Sequence, residues 1–407
     1  MKRKNGIAEN KKEQRGKPDL SLLVFTGLMA FLGTIMIYNA SSYTAQQEFG
    51  DQFHFLKLHL LWIIGGTLVG ILIYSIDYRK IVKHITPFFI ISIVLLILVL
   101  IFGTEINGAT RWFEIGSVRL QPSEFAKPIL IIYLAGWLYK YNQKTKNLED
   151  ATKKVLNKKA WEKSLIYCAI IALFAILIML QPDMGTTLLI LATTIIMYIL
   201  FATHRYQIHN ILKLCAVGVV TIVAAILSAP YRFERVYTYL QLLATGEVAD
   251  PRGTGYQLHQ ILIGIGSSGF WGKGFGQSRQ RFGYLAENTA FTDSTFAVYL
   301  EEFGFISALL LVGLWIFFFF KGYQIARNAP DQHGKMIAIG ITIWLVLQTL
   351  LNMAANVGII PITGLPLPFL TYGGSATIVT FAAIGLLLNI SSYSNLKSNN
   401  HSNARTR

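Results

Sequence analysis

Residues 284–304 read YLAENTAFTDSTFAVYLEEFG, and the reading of this stretch decides how the whole chain is built. It closes a long polar, glycine-rich segment and runs into an apolar one. Asp293 stands at the junction, and Glu301 and Glu302 follow inside the apolar run. Charges at such a depth are costly and ordinarily face a partner or a wet cavity. The stretch reads as a carboxylate set where water meets membrane.

Composition supports the membrane. Of 407 residues, 53% are hydrophobic and 14% charged, against about 25% charged in a soluble domain. Continuous apolar runs predict helices, because lipid cannot satisfy exposed backbone N–H and C=O groups. The expected class is an all-α polytopic membrane protein with ten spans, near 20–39, 57–76, 85–103, 122–139, 164–180, 185–202, 208–228, 294–320, 336–355 and 375–392. The net charge of +15 does not point to nucleic acid, since the charges sit in short loops. Seven Lys/Arg lie in the tail 1–19 and eight in 140–163. That bias predicts both termini in the cytoplasm and a large extracytoplasmic loop, 229–293, between the seventh and eighth spans. The expected division is a basic tail 1–19, a membrane domain 20–392 and a disordered cytoplasmic tail 393–407. Segment 140–163 reads as a topogenic loop near anionic headgroups, with a docking site as the alternative. Cys168 and Cys215 lie in apolar runs and make no disulfide framework.

The unusual polar chemistry then falls outside, in four places. Segment 104–127 holds an Asn107-Gly108 turn signal, the interfacial pair Trp112 and Phe113, and Arg111, whose planar fork suits phosphate. Glu124 and Lys127, three apart on the fourth helix, are either a structural pair or a cavity lining for an anionic group. Gln181-Pro182-Asp183 separates two spans, and Asp183 either caps the sixth helix or adds a second acid to the cavity. In 229–293, GYQLHQILIGIG (255–266) reads as a short surface helix. Its overlap with G-x-G-x-x-G lacks the strand–turn–helix context of a dinucleotide site. Lys273, Arg279 and Arg281 form a basic cluster, either a solvated face or a diphosphate grip. Segment 356–375, NVGIIPITGLPLPFLTYGGS, has no ionisable group except Tyr372. Asn356, Pro368, Tyr372, Gly373 and Gly374 are given a shaping role there.

Together NGATRWFEIG…LQPSEFAK, QPDMGTTL, GYQLHQILIGIGSSGFWGKGFGQSRQRFGYL…TDSTFAVYLEEFG and NVGIIPITGLPLPFLTYGGS resemble the SEDS family, the shape, elongation, division and sporulation proteins RodA, FtsW and SpoVE. GKGFGQSRQRFGYL is more similar to the division member FtsW than to the elongation member RodA. The resemblance implies a peptidoglycan glycosyltransferase of the bacterial cytoplasmic membrane, at the division site, that polymerises lipid II at the outer face. It implies a class B penicillin-binding protein and other divisome proteins as partners. It maps the essential aspartate onto Asp293, and the family's other motifs onto Arg111, Trp112, Glu124, Lys127 and Asp183. Ala286, Ser294 and Thr371 depart from the family pattern.

The expected chemistry is an inverting transfer. Asp293 takes the proton of the acceptor hydroxyl; a free Asp titrates near about 3.9, and partial burial would make it a better base. Arg111 and Lys127, with Arg279 or Arg281, would hold the diphosphate, and a divalent cation (Mg or Mn) could share that task. Glu301 and Glu302 lie too deep for the same proton and are read as structural or gating. A lipid II flippase and a non-catalytic division scaffold are the competing readings. The one-sided polar chemistry argues against the flippase, since transporter sites lie near the midplane.

Overall fold

The computed structural model describes residues 15–106, 108–116, 118–145, 153–227, 230–253, 255–282 and 285–405. Most of the basic tail, Asn107, part of segment 140–163, and Tyr284 at the head of the opening stretch lie outside the described residues. The apolar runs form helices: α1 (Leu20–Phe49), α2 (His54–Ser75), α4 (Ile85–Phe102), α5 (Pro122–Thr145), α6 (Lys153–Leu180), α7 (Met184–Leu200), α8 (Arg205–Leu227), α11 (Thr295–Asn328), α12 (Gln332–Asn356) and α13 (Gly374–Arg405). Short helices α3 (Tyr78–Lys83), α9 (Pro230–Thr245) and α10 (Tyr256–Gly266) link them. Seven of the described helices are long and apolar enough to cross a membrane.

Burial separates inner from outer helices. The apolar cores of α12 and α13 are 72% and 78% buried, whereas that of α2 is 17% buried. α12 and α13 are therefore central, and α2 turns most of its surface outward. Lipid gives apolar side chains no reason to hide, so helices associate through close packing of small residues. Gly66 and Gly70 of α2 meet Phe381 of α13, and Gly385 lies against the Gly70 backbone. Several hydroxyls along the spans bond back to their own helices, as Thr194 Oγ1 does to the Ile190 carbonyl at 2.7 Å, which satisfies the donor in an apolar setting.

Sequence and structure differ in four places. Segment 104–120 is a three-stranded antiparallel sheet, β1 (Thr104–Ile106), β2 (Ala109–Ile115) and β3 (Val118–Leu120), so the class is helical with one small sheet rather than all-α. Gly108 and Gly116 take positive φ at its two hairpin turns, which glycine alone adopts without strain. Residues 230–245, expected as loop, form α9. The C-terminal residues expected as a disordered tail continue α13 to Arg405. The eighth expected span is not one rod, because Gly304 inside α11 takes φ 75° and ψ −177°.

That break is repaired by the glycine-rich loop before it. A break in a buried helix frees carbonyl and N–H groups that must find other partners. Lys273 N and Gly274 N donate to the Glu301 and Glu302 carbonyls at 3.0 and 2.9 Å, and Phe305 N and Ile306 N donate to the Gly269 and Phe270 carbonyls at 3.1 and 3.2 Å. Gly272 sits at φ 77° with no room for a side chain, since a Cβ would lie 2.1 Å from the Glu302 carbonyl oxygen. Gly272→Ala should destabilise the protein by at least about 1–3 kcal/mol of backbone strain. Thermal unfolding in detergent checks this, and an unchanged midpoint would contradict the packing.

Two polar layers mark the ends of the bundle. At one end Asp331 caps α12 through Gly334 N at 2.8 Å and accepts from Tyr78 and Arg79 at 2.6 and 2.9 Å. At the other, Arg111 of β2 reaches the Gln181 and Pro182 carbonyls, and the irregular segment 357–373 lies against Gly185 of α7 and, at Gly358, against Leu242 of α9 and Leu262 of α10.

Candidate active site

Asp293 lies one residue before the N-cap of α11, beyond a short 3-10 helix, Ala286–Phe291. It is half-buried. Its backbone carbonyl is held by two amides from α12: Asn352 Nδ2 donates at 2.8 Å and Asn356 Nδ2 at 2.9 Å. Asn352 Nδ2 also donates to the Leu365 carbonyl at 2.7 Å, which ties α12, Asp293 and the irregular segment at one point. The Thr292 hydroxyl donates to Asp293 Oδ1 at 3.2 Å. Next along, Gln257 Nε2 of α10 donates to Ser294 Oγ at 3.2 Å, so the departure at Ser294 supplies a bond to the short helix.

A small cleft opens at this acid, lined by Ile261, Asp293, Ser294, Asn352, Ala355, Asn356, Ile362, Thr363 and Gly364. Irregular backbone forms one wall. Gly364 turns at φ 67°, and Tyr372 N donates to the Phe291 carbonyl at 2.8 Å. Burial pushes the Tyr372 hydroxyl up, against a hydrogen bond from Trp62. Pro368 is buried, and Gly374, the first residue of α13, lies where a Cβ would meet the Trp62 ring at 2.5 Å. The Gly373 carbonyl accepts from Thr377 N at 2.9 Å.

The other residues singled out in the sequence are placed around this cleft rather than in its lining. Arg111, on β2, donates to the Gln181 carbonyl at 2.9 Å and to that of Pro182, closing the C-terminal end of α6, while Trp112 lies under its guanidinium at 5.9 Å. Asp183 caps α7 through Thr186 N at 3.0 Å. Lys127 and Glu124 form a buried ion pair at 2.7 Å, and Lys127 also donates to Gln348 Oε1 at 3.0 Å. Lys273 pairs with Glu301 at 2.6 Å, and Ser278 Oγ donates to Glu301 at 2.6 Å. Glu302 accepts from Asn39 and from Ser278 N, and Arg281 donates to Asn39. Glu301 and Glu302 thus clasp the loop to the broken helix. Arg279 is exposed.

Sequence reasoning missed Asn352 and Thr363. The signal for Asn352 was present: Asn352 and Asn356 are four apart in an otherwise apolar run, one above the other on a helix face. Among the described residues no three His, Cys, Asp or Glu side chains come together as a metal group. A magnesium-like ion takes one or two carboxylates and completes its shell with water and phosphate oxygens. Asp293 is the one carboxylate among the described lining residues, so an ion shared with a diphosphate would rest on Asp293 here.

A model of the FtsW/RodA/SpoVE family, described as cell cycle proteins, matches residues 19–396. The chain belongs to this family. Stage V sporulation protein E of Bacillus subtilis is 36% identical over 94% of this chain and 99% of its own. A probable peptidoglycan glycosyltransferase FtsW of Trichlorobacter lovleyi is 34% identical over 92% of this chain and 93% of its own. Among solved structures, a chain of a peptidoglycan synthase complex that coordinates polymerization and crosslinking superposes with a TM-score of 0.71 at 26% identity, covering 92% of this chain and 97% of that one. The crystal structure of the Thermus thermophilus rod shape determining protein RodA gives 0.62 at 23% identity over 92% of this chain and 96% of that one, a likeness of fold. The FtsW/RodA/SpoVE fold is a polytopic helical one, and the cleft at Asp293 lies within the matched residues.

Proposed function

We propose that this FtsW/RodA/SpoVE member is a peptidoglycan glycosyltransferase that polymerises lipid II in the bacterial cytoplasmic membrane, at the division site. Both termini lie in the cytoplasm, ten helices span the bilayer, and the end carrying Asp293 faces outward. The observation that carries this reading is the Asp293 cleft. Asp293, pinned by Asn352 and Asn356 through its own carbonyl, is the one carboxylate among the described residues that line a small cleft at a helix start. One base suffices for an inverting transfer, in which the acceptor hydroxyl displaces a lipid diphosphate from the anomeric carbon. Asp293 accepts the hydroxyl proton as the new C–O bond forms, and the diphosphate departs with the electrons of the bond that breaks.

The cations divide by position. Arg111 and Lys127 are engaged by protein groups, which supports a positioning role for them beside the site. The exposed Arg279 is the cation assigned to the leaving diphosphate in this reading. A divalent cation, when bound, would neutralise the same charge.

A class B penicillin-binding protein is the proposed partner, supported by the likeness to a chain of a complex that couples polymerization to crosslinking. The test supplies lipid II to the purified chain with and without such a partner and reads glycan length on gels. Glycan strands that form in the presence of the partner fit the reading. Lipid II crossing liposome membranes with no polymer formed would favour the flippase instead.

A further inference from the structure

Two polar atoms in the lining of the Asp293 cleft have no hydrogen-bond partner among the described residues. Asn356 is 4% exposed, and its Nδ2 donates to the carbonyls of Asp293 and Asn352 at 2.9 and 3.0 Å. Both partners are acceptors, so chemistry fixes the amide's orientation; a flipped amide would set its oxygen against two carbonyls. Asn356 Oδ1 is left buried without a hydrogen bond, and Thr363 Oγ1 is buried without one too. Thr363 cannot easily retreat. Its carbonyl abuts Gly185 of α7, where a Cβ would lie 2.2 Å away, and Gly364 turns the chain immediately after it. Buried polar groups are rarely left unpaired, and both residues line the cleft with Asp293.

The pair is an acceptor and a hydroxyl. An amide oxygen can only accept, whereas a threonine hydroxyl can donate. A secondary amide offers one N–H and one C=O, which these two groups complement. We propose that Asn356 Oδ1 accepts the N–H, and Thr363 Oγ1 donates to the carbonyl, of the acetamido group on the acceptor sugar. The bound amide sets that sugar so that its hydroxyl faces Asp293. This assignment rests on the reading of Asp293 as the base, and it makes Asn356 and Thr363 specificity-determining residues.

The experiment compares lipid II with lipid II deacetylated at its acceptor sugar, both supplied to the same preparations of the chain with its penicillin-binding partner. The native chain should polymerise the N-acetylated substrate faster by about tenfold or more, because a site built to hydrogen-bond a substrate group discriminates against the analogue lacking it. Thr363→Val should erase most of that ratio by slowing the N-acetylated substrate alone, and Thr363→Ser should keep it. Each ratio is read within one preparation, so a lower yield of folded variant cancels. Equal use of both substrates by the native chain would overturn the proposal, and would mean that waters satisfy the two atoms. An unchanged ratio in Thr363→Val would overturn it too. So would a Thr363→Val protein inactive on both substrates, since losing one bond to the amide cannot cost more than losing the amide. Polymerisation that survives Asp293→Asn would instead remove the base reading, a separate failure.

Discussion

Lys127→Ala should destabilise the protein by about 3–5 kcal/mol, the cost of leaving a buried charge without its partner. Lys127 and Glu124 are 1% and 2% exposed, and their 2.7 Å pair is reached by no bulk water. Lys127 also bonds Gln348 Oε1, which accepts from Trp344 Nε1 at 2.9 Å. Gln348 Nε2 in turn donates to the Pro366 carbonyl at 2.8 Å, so the pair ends in the irregular segment that walls the Asp293 cleft. Removing the lysine strands Glu124 and loosens that wall. Replacing both charges, Glu124→Leu with Lys127→Met, should recover most of the loss, because apolar groups of similar volume carry no desolvation penalty. Unfolding midpoints of the three proteins in detergent check the pattern. A single variant as stable as the native chain would show that the pair is solvated.

Much of this was legible in the sequence, for physical reasons. Apolar runs of spanning length have one stable backbone solution in lipid, so the long helices could be placed from residues 20 to 392. The Asp183 cap and the Glu124–Lys127 pair follow from helix geometry at short range, and both are present. What could not be read were relations between distant segments. The run GFWGKGFG looks like a flexible loop, yet its glycines let the backbone of 269–274 enter the break at Gly304. Nothing local in 294–320 announces that break, because its repair comes from residues earlier in the chain. Arg111 looked free to grip phosphate, because the carbonyls it closes belong to a helix end about 70 residues later. Glu301 and Glu302 were assigned a structural or gating role by depth; their partners, Lys273, Ser278 and Asn39, are named only by the fold. The sheet at 104–120 was hidden because β1 and β3 are only three residues each and β2, ATRWFEI, lacks a strict apolar–polar alternation.

The same relations explain why one acid can serve. Asp293 gains its place from its main chain, through two asparagines that do not touch its carboxylate in any bond described above. The carboxylate can therefore be changed while its scaffold is kept. Asparagine at this position preserves shape and backbone bonds but cannot accept a proton. The most direct test of the base is accordingly Asp293→Asn, purified with a class B penicillin-binding protein and supplied with lipid II, with glycan formation followed over time. The account predicts an intact, normally melting protein whose polymerisation falls by about 10²–10⁴-fold, the usual worth of a positioned general base. Polymerisation at the native rate would contradict it.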